Sequence, residues 1–330
     1  MVEGLWRTLA CLAVGAIASP FCASCGSAST RARQSDAAAA ATARGAPSVR
    51  PATPAGRVIR WTRRPPIGTT WIERVRREVS RSEVTSGRGG DPRTETTRRG
   101  HSFEAMAEVL ASDARREVVR YTVVRFTRDD AARSTDVVRP GTVLEIAREV
   151  GRGWVTRSGR PVDRRLLADI ADVLDIGFAP RGEDRDTLFG SGDEPREPGQ
   201  RWSADVRAVA HLVAQPVERV EATVSLRERR VIDGVPCDVV AYTIAVSNRV
   251  VPDVPPELEV ESASLRMDGE IALPTDVSLP PLRSSVLFRE QHVLLGQTTG
   301  RRTTLTAEHR TTEERRMQSS RGVHAPDAAR

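Results

Sequence analysis

The chain contains no lysine, so all 50 of its basic residues are arginine, and aromatic residues make up only 4% of its 330 residues. Proteins that bind nucleic acids gather their cations on one face and use aromatic side chains for stacking. Here the net charge is only +6, and the densest basic segments contain acids or lie beside them. The composition therefore predicts no nucleic-acid partner.

Cysteine is also scarce in the body of the chain. Three of the four cysteines lie within the first 25 residues, which leaves only Cys237. A lone cysteine cannot form an intramolecular disulfide, so the fold must depend on its apolar core. Cys237 stands near the start of a predicted strand, which favours a buried and unreactive thiol.

Motifs for catalysis, metals and cofactors are missing as well. The five histidines are too far apart for a local metal pair, and no His-Glu-x-x-His occurs. The acidic segment 184–190 resembles a calcium loop but has Leu188 at a ligand position and Phe189 where glycine is needed. Ser191 lacks the spacing of a nucleophile elbow. We therefore predict no catalytic residue, no metal site, no cofactor and no enzymatic activity.

The first 24 residues predict an export signal. A short charged start is followed by the uncharged, mostly apolar segment 8–24, which Pro20 interrupts near its end. This segment is too short for a membrane-spanning helix, which needs about 20 apolar residues. Its layout is that of a secretory signal peptide covering residues 1–24.

Cys25 follows directly, after two small residues. The segment 22–26, Cys-Ala-Ser-Cys-Gly, resembles the lipobox of bacterial lipoproteins, although Cys22 stands where that family usually has leucine. The resemblance implies acyl chains on Cys25 that anchor the protein to a membrane. Gly26, rather than aspartate, implies the outer membrane. Cys22 is the weaker candidate, and a plain secretory signal that releases a secreted or periplasmic protein is the alternative.

Three further segments follow from composition. Residues 25–56 are rich in alanine and proline with almost no bulky apolar side chains, which predicts a disordered, lipid-anchored tether. Residues 57–316 are predicted to form a single β-rich domain. Residues 317–330 are predicted to be a disordered tail.

Apolar residues in the body alternate with polar ones, which is typical of antiparallel strands with one face in water. Asp233-Gly234 predicts a tight hairpin turn. Both central residues of such a turn need positive φ, and the Asp-Gly pair is preferred there. Further hairpins are predicted around 112–114, 151–153 and 296–300. Asp268-Gly269 predicts a turn or a bulge within the long strand 258–273.

Two segments follow helical spacing instead. Residues 163–176 predict an amphipathic helix capped by Asp163 and ended by Gly177. Residues 204–214 predict a weaker second helix with Ser203 as its cap. Between them, 178–201 is polar and long, which predicts a mobile loop or a lid.

The fold class is therefore predicted to be α+β and mostly antiparallel β, a curved sheet or incomplete barrel with one or two short helices packed on it. In element order it resembles the incomplete β-barrels of periplasmic lipoprotein carriers. That resemblance implies an apolar concavity that binds a lipid, an acyl chain or an envelope protein under the first helix. The residues expected to face such a ligand are Leu167, Ile170, Val173 and Leu174. The alternative is a ligand-free structural or protein-interaction module.

Overall fold

The computed structural model describes residues 56–86, 91–113, 116–130, 133–149, 152–174, 176, 186, 189, 193–205, 217–249, 251, 254–297 and 300–318. The predicted signal peptide, Cys25, almost all of the tether and most of the tail lie outside the described residues. The same is true of 206–216, where most of the second helix is predicted, and of most of the predicted loop 178–201.

The described residues form a long antiparallel sheet and one helix. Their bounds are β1 Thr70–Ser86, β2 Arg93–Ser112, β3 Arg116–Asp130, β4 Arg133–Asp136, β5 Val143–Glu149, β6 Arg152–Arg157, β7 Arg160–Pro161, α1 Arg164–Val173, β8 Arg201–Ser203, β9 Val217–Ile232, β10 Val235–Arg249, β11 Leu258–Pro274, β12 Arg283–Gly296 and β13 Arg302–Met317.

The sheet consists of two meanders joined by its first and last strands. Its order is β7-β6-β5-β3-β2-β1-β13-β12-β11-β10-β9-β8, with β4 paired to β3. Every pairing is antiparallel, and β1 meets β13 with Trp71 opposite Met317. The sheet is curved. It is also open, because β7 and β8 form its two edges and do not pair with each other in the described residues. The predicted fold class is confirmed.

The predicted hairpins occur where the turn chemistry places them. Asp233 and Gly234 connect β9 to β10 with φ angles of 49° and 81°. Such angles are costly for most side chains but accessible to glycine and tolerated by aspartate. The other three predicted hairpins agree with the strand bounds, since β2 ends at Ser112 and β3 begins at Arg116, β5 ends at Glu149 and β6 begins at Arg152, and β12 ends at Gly296 and β13 begins at Arg302.

Asp268-Gly269 is not a turn, because β11 continues through it with regular pairing to β12. The register shift lies earlier in the strand, between Val260 and Ser262. Gly269 is needed for another reason. A Cβ atom at this position would lie 2.1 Å from Cζ of Tyr242, whose ring covers the glycine from the neighbouring strand.

Helix α1 begins as predicted and ends earlier. The Asp163 carboxylate accepts hydrogen bonds from the backbone N–H groups of Arg165 and Leu166, each at 2.9 Å. The helix stops at Val173, because Leu174 takes an extended conformation (φ −122°, ψ 141°) while its N–H still donates to the Ile170 carbonyl. The predicted end at Gly177 is therefore wrong. Ser203, the predicted cap of the second helix, ends β8.

Alternation gives the sheet two chemically different faces. We call inner the face that carries Trp71, Val75 and Val79 of β1, which are 3–4% exposed. The other face, which carries Arg74 and Arg76, we call outer. On strands β2, β3, β9 and β10 the predicted inward positions are buried or half-buried in the same way. The core therefore lies on the inner face.

Candidate functional site

Four apolar clusters lie among the described residues, and the two largest are on the inner face, one at each side of the sheet. Cluster 1 lies on β1 to β6 and contains these buried residues: Trp71, Val75, Phe103, Ala105, Ala107, Val109, Val119, Tyr121, Val123, Phe126, Val138, Leu144, Ile146, Val155, Ile170, Val173 and Leu174. Cluster 2 contains Ile59, Trp61, Phe189, Trp202, Ala204, Ala222, Val224, Leu226, Val240, Ile244, Val246, Leu265 and Leu273.

Helix α1 covers cluster 1 with the side chains that the sequence assigns to a ligand. Ile170, Val173 and Leu174 are members of the cluster and are 0%, 7% and 4% exposed. Leu167 is half-buried and packs against the same cluster. The structure thus brings all four predicted residues together, over the sheet.

Cluster 2 is covered by chain segments that precede the sheet or connect its two meanders. The indole of Trp61 stacks on Phe189 with ring centroids 4.2 Å apart. Trp202 Nε1 donates to the Phe189 carbonyl at 2.6 Å. The Asp186 carboxylate accepts from the backbone N–H groups of Trp61 and Thr62. Aromatic stacking and buried polar contacts therefore hold this cover in place.

Charged groups hold α1 to the sheet beside cluster 1. The carboxylate of Asp169, which is 7% exposed, accepts a hydrogen bond from the Arg128 guanidinium. Arg128 Nε lies 3.1 Å from Asp169 Oδ1. His101 lies between two helix carboxylates, with Nε2 at 3.2 Å from Asp169 and Nδ1 at 3.6 Å from Asp172. Arg77 contacts Asp172 at 3.2 Å and also donates to its backbone carbonyl.

Between the clusters, the inner face of β1, β13 and β12 carries several polar side chains. We call the residues Arg77, Arg81, Glu290, His292 and His309 the central strip. Glu290, His292 and His309 are 3%, 2% and 8% exposed. His292 Nε2 lies 2.8 Å from the Glu290 carboxylate. Buried polar side chains in the middle of a sheet are costly unless they are paired, so this strip is a candidate site.

Sequence patterns alone do not predict the central strip, although one signal for it is present. Arg77 and Arg81 have the same parity as Val75 and Val79, so they interrupt the apolar side of β1. They meet β13 only because the first and last strands pair, more than 200 residues apart in sequence.

His309 is held neutral by its surroundings. Burial, with the nearby positive charges of Arg77 and Arg81, lowers the pKa of His309 to about 3. Arg77 donates to His309 Nδ1 at 3.1 Å, so the neutral ring carries its proton on Nε2. His309 is therefore a hydrogen-bond donor at Nε2 at any physiological pH.

A second polar group lies beside cluster 1, with Glu73 buried and Glu313 and Arg315 half-buried. Arg315 Nη2 donates to Glu73 at 3.0 Å and also contacts Glu313. Trp71 Nε1 donates to Glu73 at 3.0 Å, and Ser284 Oγ donates to Glu313 at 3.0 Å. Two carboxylates thus share one guanidinium on the inner face.

The pKa values of the two carboxyl groups, Glu73 and Glu313, are shifted in opposite directions. Burial raises the pKa of Glu313 to about 7, with the charge of Glu73 adding to the effect and Arg315 opposing it. Burial also disfavours the ionised form of Glu73, but the charge of Arg315 and several hydrogen bonds outweigh it and lower the pKa of Glu73. The arrangement favours one ionised and one protonated carboxyl near neutral pH.

The outer face is polar and exposed, with arginines facing acids across neighbouring strands. Arg74 pairs with Glu104 at 2.8 Å, and Arg283 pairs with Glu314 at 3.2 Å. These side chains line an open groove of about 580 Å³. Exposed pairs of this kind contribute about 0–1 kcal/mol each, so they keep the face soluble rather than holding the fold.

Cys237 is buried, as predicted. It is 1% exposed, and its Sγ lies 3.4 Å from the Val235 carbonyl. Burial raises the pKa of the thiol, with the charge of Arg63 opposing the shift.

In the part of the chain that the structure describes, no group of three or more His, Cys, Asp or Glu side chains is placed to hold a metal ion. No helix there is long and apolar enough to cross a membrane.

No protein-family model matches the chain, and no curated protein matches it. Among solved structures, lipovitellin, in a study of lipid–protein interactions, matches with a TM-score of 0.35 and 11% identity over 80% of this chain. This chain spans 26% of the lipovitellin chain, about a quarter of its length. A LolA superfamily protein from Nitrosomonas europaea matches with a TM-score of 0.15 and 10% identity, over 74% of this chain and 86% of that chain.

Proposed function

We propose that this chain is a non-enzymatic lipoprotein of the cell envelope that binds a lipid or an acyl chain on the inner face of its sheet. The observation that carries the proposal is the way the two apolar clusters are covered. Helix α1 and the Trp61 and Phe189 segments lie outside the sheet, yet they close its apolar face. The ligand would lie between the sheet and these covers.

Such covers can move without breaking the sheet. The strands are joined to each other by their own backbone hydrogen bonds, so displacement of α1 leaves the ladder intact. Burial of one large aliphatic side chain contributes roughly 1.5–3 kcal/mol, and each buried methylene of a ligand roughly 0.8 kcal/mol. An acyl chain of ordinary length therefore offers enough apolar area to replace the contacts of Leu167, Ile170, Val173 and Leu174.

The proposal is tested by lipid extraction of the purified mature protein and by titration with a dansyl-labelled fatty acid. We expect a saturable rise in fluorescence. Ile170→Asp should weaken it, and Leu167→Asp should do so with less damage to the core. Val231→Asp adds the same charge at a position 66% exposed and should bind normally. No extractable lipid together with no saturable titration would refute lipid binding.

We further propose that Cys25 carries acyl chains that attach the protein to the outer membrane. The lipobox-like segment supports this, and two or more chains are needed for stable attachment. Intact mass of detergent-extracted protein should show the added acyl mass. Cys25→Ala should abolish it, while Cys22→Ala should keep it. Unmodified protein in the native cell would instead indicate a secreted or periplasmic protein.

A ligand-free structural or interaction module is the second candidate. It is favoured by the close packing of α1, because Ile170 is completely buried in cluster 1. In that case the covers are permanent parts of the core. The fatty-acid titration separates the two functions, since a filled core gives no saturable signal in the folded wild-type protein.

A further inference from the structure

Four hydrogen-bond donors surround one buried valine on the inner face. Val79 of β1 lies directly opposite Arg99 of β2 on one side and opposite His309 of β13 on the other. Arg77 and Arg81 lie two residues before and after it on the same face. Directly opposed residues in an antiparallel sheet have Cβ atoms about 4.5–5.5 Å apart. The four side chains therefore form one compact group.

Burial and the neighbouring like charges both disfavour the charged forms of Arg77 and Arg81. Burial lowers the pKa of Arg81, and the charge of Arg99 is the next largest cause, ahead of the opposing acids Asp172 and Glu290. Burial also lowers the pKa of Arg77, with Asp172 opposing and Arg99 adding to the shift. The three guanidinium groups thus repel one another where water is partly excluded.

Three acids among the described residues lie near the group, and one of them, Asp172, already pairs with a member of it. Asp172 contacts both Arg77 and His101. Glu290 lies 2.8 Å from His292. Asp130 stands opposite Arg99 on β3, but the described residues show no ion pair between the two. Arg99 is exposed, so its guanidinium is accessible from solvent.

One donor of the group, Arg77 Nε, is buried and makes no hydrogen bond among the described residues. The neutral ring of His309 accepts from Arg77 at Nδ1 and carries its proton on Nε2, which makes Nε2–H a further donor. A buried donor without an acceptor is unfavourable, and an anion of suitable shape would accept a hydrogen bond from it.

The group also adjoins apolar surface. The ring of Phe288 packs edge-on against His309 with centroids 5.5 Å apart, and Phe288 packs against cluster 2. Asp172, at the end of α1, contacts Arg77 on the side of cluster 1. An anionic group bound here would therefore lie between two apolar clusters.

We propose that Arg77, Arg81, Arg99 and His309 bind the anionic head group, a carboxylate or a phosphate, of the lipid. This inference rests on the proposed function and adds the chemical class of the ligand. Arginine guanidinium groups bind carboxylates and phosphates through charge-assisted hydrogen bonds. The acyl chain would extend from this head-group site over cluster 1 or cluster 2.

The test compares a dansyl-labelled fatty acid with its methyl ester, using the mature protein. The acid should bind about tenfold more tightly than the ester, as expected for one charge-assisted hydrogen bond. Arg99→Gln should remove most of this difference. Arg98→Gln is the matched control, because Arg98 neighbours Arg99 on the same strand, points to the outer face and carries the same charge.

Each outcome decides a different point. Equal binding of acid and ester by the wild type would refute the head-group site while leaving lipid binding intact. Binding of neither would refute the proposed function and the head-group site with it. Loss of the preference in Arg98→Gln as well as Arg99→Gln would show a general charge effect and also refute the site. Displacement of the dansyl-labelled fatty acid by inorganic phosphate alone would indicate that the ligand of these residues is a free anion rather than a lipid head group.

Discussion

The burial of Glu313 beside Glu73 makes the stability of this protein depend on pH. Burial raises the pKa of Glu313 from its ordinary value of 4.5 to about 7 in the folded protein. Between these values the folded state binds a proton that the unfolded state has lost. Stability therefore falls as pH rises from about 4.5 to 7, because the unfolded state binds fewer protons.

The magnitude follows from the shift. One pKa unit corresponds to about 1.4 kcal/mol, so a shift from 4.5 to about 7 costs roughly 3 kcal/mol once Glu313 is ionised. Glu73 acts in the opposite sense, since its pKa is lowered and its contribution is lost only at more acidic pH. Above pH 7 the buried group holds two carboxylates and one guanidinium.

Urea unfolding of the wild type and Glu313→Gln at pH 5 and pH 8 tests this reasoning. The wild type should lose stability between the two pH values, and Glu313→Gln should lose roughly 3 kcal/mol less. Glutamine keeps the shape and an acceptor for Ser284 Oγ, while Glu73 still pairs with Arg315. Glu314→Gln, at the next residue on the outer face, is the control and should follow the wild type.

A Glu313→Gln variant with the same pH slope as the wild type would refute the assignment. So would a variant that is less stable than the wild type by the same amount at both pH values, because that result indicates a lost structural contact rather than a removed charge. Unchanged behaviour of Glu314→Gln shows that surface charge does not cause the effect.

Two further predictions concern the fold itself. Gly269→Ala should lower the free energy of unfolding by about 1–3 kcal/mol, because the added methyl group collides with the Tyr242 ring. This cost should be smaller in a Tyr242→Ala background. Urea unfolding of the four proteins of this double-mutant cycle measures the difference. Asp163→Ala should cost about 0.5–2 kcal/mol by removing the cap of α1, while Asp163→Asn should recover most of the loss in the same unfolding assay.

Local patterns predicted the local elements of this protein well. Period-two alternation identified the inward side of strands such as β2 and β10, because alternation reflects one buried face. The Asp233-Gly234 turn was predictable since its chemistry demands positive φ at two successive residues. The start of α1 was predictable from its cap for the same local reason. None of these required knowledge of distant parts of the chain.

What the sequence did not predict depends on contacts between distant residues. The pairing of β1 with β13 joins the two meanders and leaves no local signal. The end of α1 was misplaced, because Leu174 leaves the helix yet remains buried in cluster 1. Gly269 was assigned to a turn or bulge, since the ring of Tyr242 that requires it comes from another strand.

The candidate site was predicted only in its apolar part. Leu167, Ile170, Val173 and Leu174 were identified by helical spacing, and the structure places them over cluster 1. Alternation alone gives no information on what lies opposite Arg77 and Arg81 at the inward positions of β1. Only the pairing of β13 with β1 places His309 beside Arg77.

The position of the polar groups explains why the two clusters remain separate. β1 and β13 are the central strands of the sheet, and their inner faces carry Arg77, Arg81 and His309 among apolar residues such as Val79. A continuous apolar core across this junction would have buried the same area without the cost of desolvating charges. Since the charged groups divide the apolar surface, each cluster needs its own cover, and any ligand that reaches from one cluster to the other must cross the arginines.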